Sequence, residues 1–195
     1  MRRVAQGDVF RDVECIEYVA EKRGVIEVSK VVFPLVIVLT QDCDLEQDAR
    51  YRNPKMEKPK TDDKRLLSVL VVPLYNAEHV LMGTHLADLN MTMTSMKKKS
   101  TEHNYLKNNE RPRYHYLEFP KEIPVVDQVA DFKHYFSVHL NYLENARSKQ
   151  FVCRIGDMFR EHLSQRFAAY LARIGLPDIP KPKEAAPAPA SGAGG

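Results

Sequence analysis

The side chains best suited to chemistry follow a run of apolar residues. The segment 40–44 (TQDCD) comes directly after the apolar run 31–39. A thiol here could act as a nucleophile with an imidazole as its base, although a reactive thiolate requires positive surroundings and Cys43 has a carboxylate on either side. Thiol, carboxylate and imidazole are also ligands that zinc accepts. The candidates for a catalytic or metal site are Asp42, Cys43, Asp44 and His115.

A structural role for this segment is the alternative. Cysteine is often a small buried apolar residue, and aspartates commonly cap the turn that follows a strand. The spacing of acidic residues from position 42 resembles the start of a calcium-binding loop. However, Gln47 occupies the position that requires glycine, and Asn53 the position that requires glutamate. The segment therefore predicts either a site around Cys43 or a capped turn, and no calcium loop.

Basic and aromatic residues are interleaved in the segment 91–116. It contains six lysines and arginines against two glutamates. Basic groups bind phosphates and aromatic rings stack on bases, so this combination favours binding of RNA or single-stranded DNA. The alternative is a solvated loop followed by a strand whose tyrosines pack on the core. The residues predicted to contact nucleic acid are Lys97, Lys98, Lys99, Arg111, Arg113 and Tyr114.

Composition limits the class of protein. Of the 195 residues, 44% are hydrophobic and 28% charged, the balance of a globular protein. The three cysteines lie far apart, which favours a reducing, cytoplasmic environment. The longest apolar run is about half of what a membrane span needs, so no membrane partner is predicted. Phosphate-binding glycine loops, GxSxG and zinc-deaminase signatures do not occur, and no cofactor is predicted.

Strand patterns dominate the first part of the chain. A turn signal at 22–24 predicts a hairpin whose first strand opens at Gly7. The β-branched run after Pro34 predicts a strand that begins at Leu35 and is buried on both faces, with the proline at an edge or a bulge. Further strands are predicted at 66–74, 113–118, 125–127 and 132–138, a short helix at 76–88, and an irregular charged surface segment at 46–65.

The last predicted element is a long helix from Asp157 to Ile174, with Asp157 as its N-cap and Gly175 as its stop. Its apolar residues recur three and four positions apart at Met158, Phe159, Leu163, Phe167, Tyr170, Leu171 and Ile174. The Pro/Ala/Gly-rich tail 177–195 is predicted to be disordered. Because strands precede the helix, we predict one α+β domain over residues 1–176, with a small curved β-sheet or barrel and a long C-terminal helix.

Three segments resemble the MazF/PemK toxin family: 7–10 (GDVF), 33–40 (FPLVIVLT) and 70–74 (LVVPL). That family opens with a Gly-Asp-apolar strand, continues with an Arg-Pro-led buried strand, and has a later strand that ends in Pro-Ile-Thr. The resemblance covers residues 1–75 and implies an SH3-like barrel, dimerisation and ribonuclease activity. Phe33 stands where the family has its arginine, and Tyr75 where it has its threonine.

A second resemblance extends along nearly the whole chain. The segments 40–44, 113–117 and 160–177 are similar to a group of uncharacterised bacterial proteins, which implies a prokaryotic source and no particular activity. The leading hypothesis is a prokaryotic or phage β-barrel protein that engages nucleic acid, as a toxin or defence component with ribonuclease ancestry. The alternatives are a metal or thiol enzyme centred on Cys43, and a non-catalytic module that binds a protein partner or a second copy of itself.

Overall fold

A long antiparallel hairpin forms the start of the fold. The computed structural model describes residues 3–53, 55 and 61–173. Strand β1 (Asp8–Lys22) pairs with β2 (Val25–Val38), and Gly24 in the predicted turn has a φ of 79°, which glycine adopts without strain. At the base of the hairpin Val36, Ile37 and Val38 are fully buried, as predicted.

Pro34 lies inside β2, which begins at Val25 instead of Leu35. The next strand, β3 (Ser68–Asn76), pairs with β2 only from Val36 to Val38. At Pro34 β2 is therefore an edge strand, one of the two positions at which proline was predicted to be tolerated.

The distal half of the hairpin exposes an apolar face. The cross-strand pairs Val19–Val28 and Glu21–Ile26 place these side chains on one side of the two-stranded ribbon. Val19 is 60% exposed and Ile26 is 69% exposed. Strong β-propensity thus continues well beyond the part of the hairpin that the core covers.

In the part of the chain that the structure describes, seven antiparallel strands form one curved sheet. The order is β4-β5-β3-β2-β1-β7, with β6 paired to β3 next to the part that β5 covers. The remaining strands are β4 (Tyr114–Leu117), β5 (Gln128–Asp131), β6 (Phe136–His139) and β7 (Phe151–Arg154). The helices are α1 (Asp42–Tyr51), α2 (Ala77–Met82), α3 (Thr101–Lys107), α4 (Leu140–Gln150) and α5 (Asp157–Leu171). The predicted α+β class with a curved sheet is confirmed.

Both faces of the sheet carry apolar clusters. Ile37 and Phe132 pack with Leu163 and Phe167 of α5 on one face. Tyr75 and its neighbours pack with α2 and α3 on the other. A third cluster lies at the hairpin base, against α1 and α4. The sheet is consequently covered on both sides where β3, β4 and β5 meet.

Several predicted elements were wrong in kind or in extent. The segment 46–65 is not wholly irregular, because α1 occupies its start and buries Asp48. The helix predicted at 76–88 ends at Met82, since Gly83 has a φ of 72°, and a 3₁₀ turn follows at Ala87–Leu89. The strand predicted at 125–127 begins only at Gln128, and the one predicted at 132–138 is a 3₁₀ turn followed by β6.

The C-terminal helix is present, but it packs over less of its length than its apolar residues predict. Its N-cap is Gly156, one residue before the predicted Asp157. Leu163 and Phe167 are buried, whereas Met158 is 77% exposed and Phe159 60% exposed. The predicted last residue, position 174, and the tail 177–195 lie outside the described residues. Within the described ranges, the helices are too short or too polar to cross a membrane.

Candidate functional site

Polar side chains converge where β3, β4 and β5 meet the 3₁₀ turn that follows β5. Tyr75 of β3 lies opposite Val129, and Tyr114 of β4 lies opposite Asp131. Directly opposed residues share a face, and so do residues two apart on one strand, so Tyr75, Tyr114 and Asp131 face the same side. We call Tyr75, His85, Arg113, Asp131 and His134 the Tyr75–His134 centre.

A buried ion pair forms the base of the centre. Asp131 has no exposed surface, and its two carboxylate oxygens accept hydrogen bonds from Arg113 Nε and Nη2 at 2.8 and 2.6 Å. The backbone N–H of Lys133 donates a third at 3.1 Å. The hydrogen bond to Asp131 raises the pKa of Arg113. Among the described residues no hydrogen bond engages Nη1 of the guanidinium, which can bind a further acceptor.

His134 lies between a phenol and this carboxylate. Its Nδ1 is 3.0 Å from Tyr75 Oη and 3.5 Å from Asp131 Oδ2. A carboxylate beside Nδ1 favours the tautomer that carries its proton there, which leaves a lone pair on Nε2. Burial lowers the pKa of His134 below its ordinary 6.5, and Asp131 opposes this effect. Nε2 is therefore an unprotonated base at neutral pH.

Tyr75 has the opposite protonation behaviour. Burial raises the pKa of its hydroxyl well above the ordinary value of 10, and the negative charge of Asp131 adds to this. The hydroxyl keeps its proton at neutral pH and can donate it. The environment thus separates the pKa values of two neighbouring groups, an arrangement that distinguishes a base from an acid in enzyme sites.

His85 completes the centre from the turn after α2. Its ring lies edge-on to that of Tyr75, with centroids 5.1 Å apart. Both ring nitrogens are buried without a hydrogen-bond partner among the described residues. Burial lowers the pKa of His85, so the ring is neutral and has one N–H and one lone pair to offer. Unpaired buried polar atoms of this kind are uncommon in proteins and often mark a functional position.

The residues of the predicted thiol or metal site lie outside the Tyr75–His134 centre. Asp42 starts α1, and its carboxylate accepts two hydrogen bonds from Arg3, both at 2.8 Å. These bonds lower the pKa of Asp42. Cys43 is exposed, and its Sγ lies 3.6 Å from Gln41 Oε1 and 3.7 Å from an Asp44 oxygen. The two aspartates occupy the first turn of α1, where the helix dipole favours negative charge.

His115 lies on β4 with its ring on the opposite face from that of Tyr114. It is 1% exposed and contacts the rings of Phe132 and His162, with centroids 6.2 and 5.2 Å away. Burial lowers the pKa of His115 to about 3, and the charges of Arg166 and His162 add to this. In the part of the chain that the structure describes, no group of three or more His, Cys, Asp or Glu side chains is arranged to hold a metal ion.

The predicted nucleic-acid residues fall into two groups. Lys97, Lys98 and Lys99 are exposed, and Lys98 pairs with Glu78 at 2.8 Å. Arg111 is half-buried, and its carbonyl accepts a hydrogen bond from Arg166. Arg113 is half-buried and Tyr114 is buried. Arg113 is bound to Asp131, and Tyr114 is 9% exposed with the Arg113 guanidinium over its ring. That ring has no open face for a base.

Sequence reasoning missed most of the centre. Tyr75 entered only as a departure from a family pattern, and His85, Asp131 and His134 were not predicted as site residues. Tyr75 and His134 are 59 positions apart in the sequence. The one local signal was an aspartate at the end of a short apolar strand, which is too common to identify a site.

Comparison with known proteins adds no identity. Neither a protein-family model nor a curated protein matches this chain. A functional assignment therefore rests on the geometry of the Tyr75–His134 centre.

Proposed function

We propose that this protein binds RNA and cleaves it by acid–base chemistry at the Tyr75–His134 centre. The observation that carries the proposal is the position of His134 Nδ1, 3.0 Å from the Tyr75 hydroxyl and beside the Asp131–Arg113 pair. This arrangement combines an unprotonated base, a protonated acid and a cation within one cluster.

RNA is the substrate because it contains its own nucleophile. His134 Nε2 takes the proton of a 2′-hydroxyl, and the 2′-oxygen forms a bond to the adjacent phosphorus. The bond from phosphorus to the 5′-oxygen breaks, and that oxygen receives the Tyr75 proton. Arg113 Nη1 neutralises charge on the phosphoryl oxygens. The products are a 2′,3′-cyclic phosphate and a 5′-hydroxyl.

The contact between Tyr75 and His134 also restores the centre. After cleavage the imidazole is a cation and the phenol is a phenolate. The Nδ1 proton crosses the 3.0 Å hydrogen bond to the phenolate oxygen. One proton has then moved from the 2′-hydroxyl to the 5′-oxygen, and the side chains have no net gain or loss. Exchange with water returns His134 to its starting tautomer.

The surroundings of the centre support a polyanionic substrate. Met93 and Met96 hydrogen-bond through their backbone N–H groups to Gly83 and Leu81, which pins the segment before the lysine run against α2 and the turn that carries His85. The exposed run 97–99 continues from this segment. Phosphate contacts by such lysines make binding dependent on salt.

The MazF/PemK-like SH3 barrel remains part of this proposal. Tyr75 stands at the position of that family's threonine, and this residue lies in the centre. Phe33, at the family's arginine position, packs against Phe136 with ring centroids 5.2 Å apart. Arg113 supplies the guanidinium in its place, so the chemistry is a variant of the family's pattern.

The test is cleavage of a labelled single-stranded RNA by the purified protein. We expect products with cyclic phosphate ends, and no cleavage of the same strand with 2′-deoxy sugars. Tyr75→Phe and His134→Gln should each lower kcat/KM about 10²- to 10⁴-fold. The matched controls are Tyr135→Phe and His79→Gln, which change an exposed tyrosine and an exposed histidine outside the centre. Intact RNA after incubation with the wild-type protein, or equal rates for DNA and RNA, would overturn the proposal.

A further inference from the structure

A cavity of about 700 Å³ lies between β4 and β7, the two strands at the ends of the strand order. Strands β4 and β7 stand at opposite ends of the strand order, yet both line this cavity. Leu117 comes from β4, Cys153 from β7 and Phe159 from the first turns of α5. The sheet curves until its edges face each other across the cavity, and its volume is in the range of small-molecule sites.

The β4 edge is already satisfied by side chains. Tyr116 N donates to Asn109 Oδ1 at 2.6 Å, and Asn109 Nδ2 donates to Tyr116 O at 3.1 Å. Arg166 Nη2 donates to Tyr114 O at 2.8 Å. These bonds occupy the backbone groups that an added strand would use. The cavity therefore suits a small molecule better than an inserted peptide strand.

The walls of the cavity are apolar and aromatic. Phe119, Phe159 and His162 present rings to it, and Ile123 and Ile155 add aliphatic surface. His115 also lines it. This residue is 1% exposed, and its Nδ1 is buried without a hydrogen-bond partner in the described part of the chain. A planar ligand would gain stacking and edge contacts from this set of rings.

Charge at the cavity is mixed but favours an anion at one position. Arg154 is engaged by Asp8, at 2.5 Å through Nε. Glu118 is exposed at the rim. Lys107 is exposed with its ammonium group 5.5 Å from the Tyr116 ring centroid, and no ion pair to it occurs among the described residues. It is the available cation for a ligand.

We propose that this cavity binds a small planar aromatic anion. Its ring contacts Phe119, Phe159 and His162, and its anionic group is directed to Lys107. The site is separate from the Tyr75–His134 centre, because none of the five residues of that centre lines the cavity. Ligand binding therefore does not depend on the proposed RNA cleavage.

The probe is 8-anilinonaphthalene-1-sulfonate, an aromatic monoanion with a planar naphthalene ring, whose fluorescence rises in apolar surroundings. We expect Phe159→Ala and Lys107→Ala each to weaken its binding about 3- to 10-fold, the range of one aromatic or cationic contact. The controls are Met158→Ala, a neighbouring exposed apolar residue on α5, and Lys97→Ala, an exposed lysine elsewhere. Neither lines the cavity, and neither should change the dissociation constant.

A neutral probe separates the aromatic part of the proposal from the anionic part. N-phenyl-1-naphthylamine lacks the sulfonate, so Phe159→Ala should weaken its binding and Lys107→Ala should not. All variants change exposed side chains, and circular dichroism checks that they are folded.

The exposed apolar face of the hairpin is the competing site for both dyes. The double variant Ile26→Thr/Val28→Thr removes two of its side chains, and we expect it to retain the binding that depends on Phe159. The proposal would be overturned if this double variant lost dye binding while Phe159→Ala retained it. Absence of dye binding to the wild-type protein would also overturn it.

Discussion

The two faces of β4 place histidines in different electrostatic surroundings. On the Tyr114 side, His134 has the Asp131 carboxylate 3.5 Å away, which partly offsets the effect of burial on its pKa. On the other side, His115 has Arg166 and His162 as its charged neighbours, and both lower the pKa of its ring further. A buried histidine can take up and release protons when a carboxylate lies beside it, and without one it stays a neutral polar side chain.

The largest expected effect concerns the Arg113–Asp131 ion pair, whose carboxylate lies beside His134. Arg113→Met removes the cation and leaves Asp131 as a buried charge without compensation, which should lower the free energy of unfolding by about 3–5 kcal/mol. Urea denaturation at pH 7 measures it. Lys98→Met breaks an exposed pair with Glu78 and is the control, expected to cost at most about 1 kcal/mol. A cost for Arg113→Met as small as that of the control would show that Asp131 does not need its partner.

A smaller effect should appear on the other face when the pH is lowered. The pKa of His115 is depressed to about 3 in the folded protein, from 6.5. Its contribution to stability is complete above pH 6.5 and is lost below, because only the unfolded chain then takes up a proton. The loss amounts to about 1.4 kcal/mol per pH unit.

His115→Phe should therefore reduce the fall in unfolding free energy between pH 6.5 and 5 by about 2 kcal/mol. This range lies above the titration of the carboxylates, which avoids the contribution of Asp42. Met158→Ala changes an exposed side chain that does not titrate and should leave the pH dependence unchanged. An unaltered slope in His115→Phe would mean that His115 is accessible to protons in the folded state.

The pH dependence of the proposed RNA cleavage tests the His134 side of this comparison. The base must be neutral and the acid protonated, so the rate should fall about tenfold per pH unit below the pKa of His134, which lies under 6.5. Because the pKa of Tyr75 is raised above 10, the rate should show no decline up to pH 9. Measurement of kcat/KM from pH 5 to 9 tests both limits. An alkaline decline below pH 9 would exclude Tyr75 as the acid.

The smallest expected effect concerns Cys43 in the segment 40–44. Cys43 is exposed and bonded only weakly to its neighbours, so Cys43→Ser should change stability by less than about 0.5 kcal/mol. RNA cleavage should remain at the wild-type rate. A large loss of activity in this variant would return the site to Cys43 and count against the Tyr75–His134 centre.

Local patterns were sufficient for the parts of the fold that depend on short-range order. The β-branched run that ends at Val38 predicted a strand buried on both faces, and the turn at Gly24 predicted its hairpin. Helical spacing after Asp157 predicted α5. In each case the determining residues are close in sequence, so a short stretch of the chain is enough to predict the element.

Contacts between distant segments decided the candidate site. The pairing of β3, β4 and β5 brings Tyr75 to His134 and Arg113 to Asp131, and it also buries Tyr114, which the interleaved charges had suggested as a stacking surface. Such register depends on how strands from three parts of the chain pack together, and no short window of sequence encodes it. The pKa values follow from the same packing. The sequence by itself determined which elements form. The tertiary structure decided which of their side chains form ion pairs, hydrogen-bond to each other or line the same cavity.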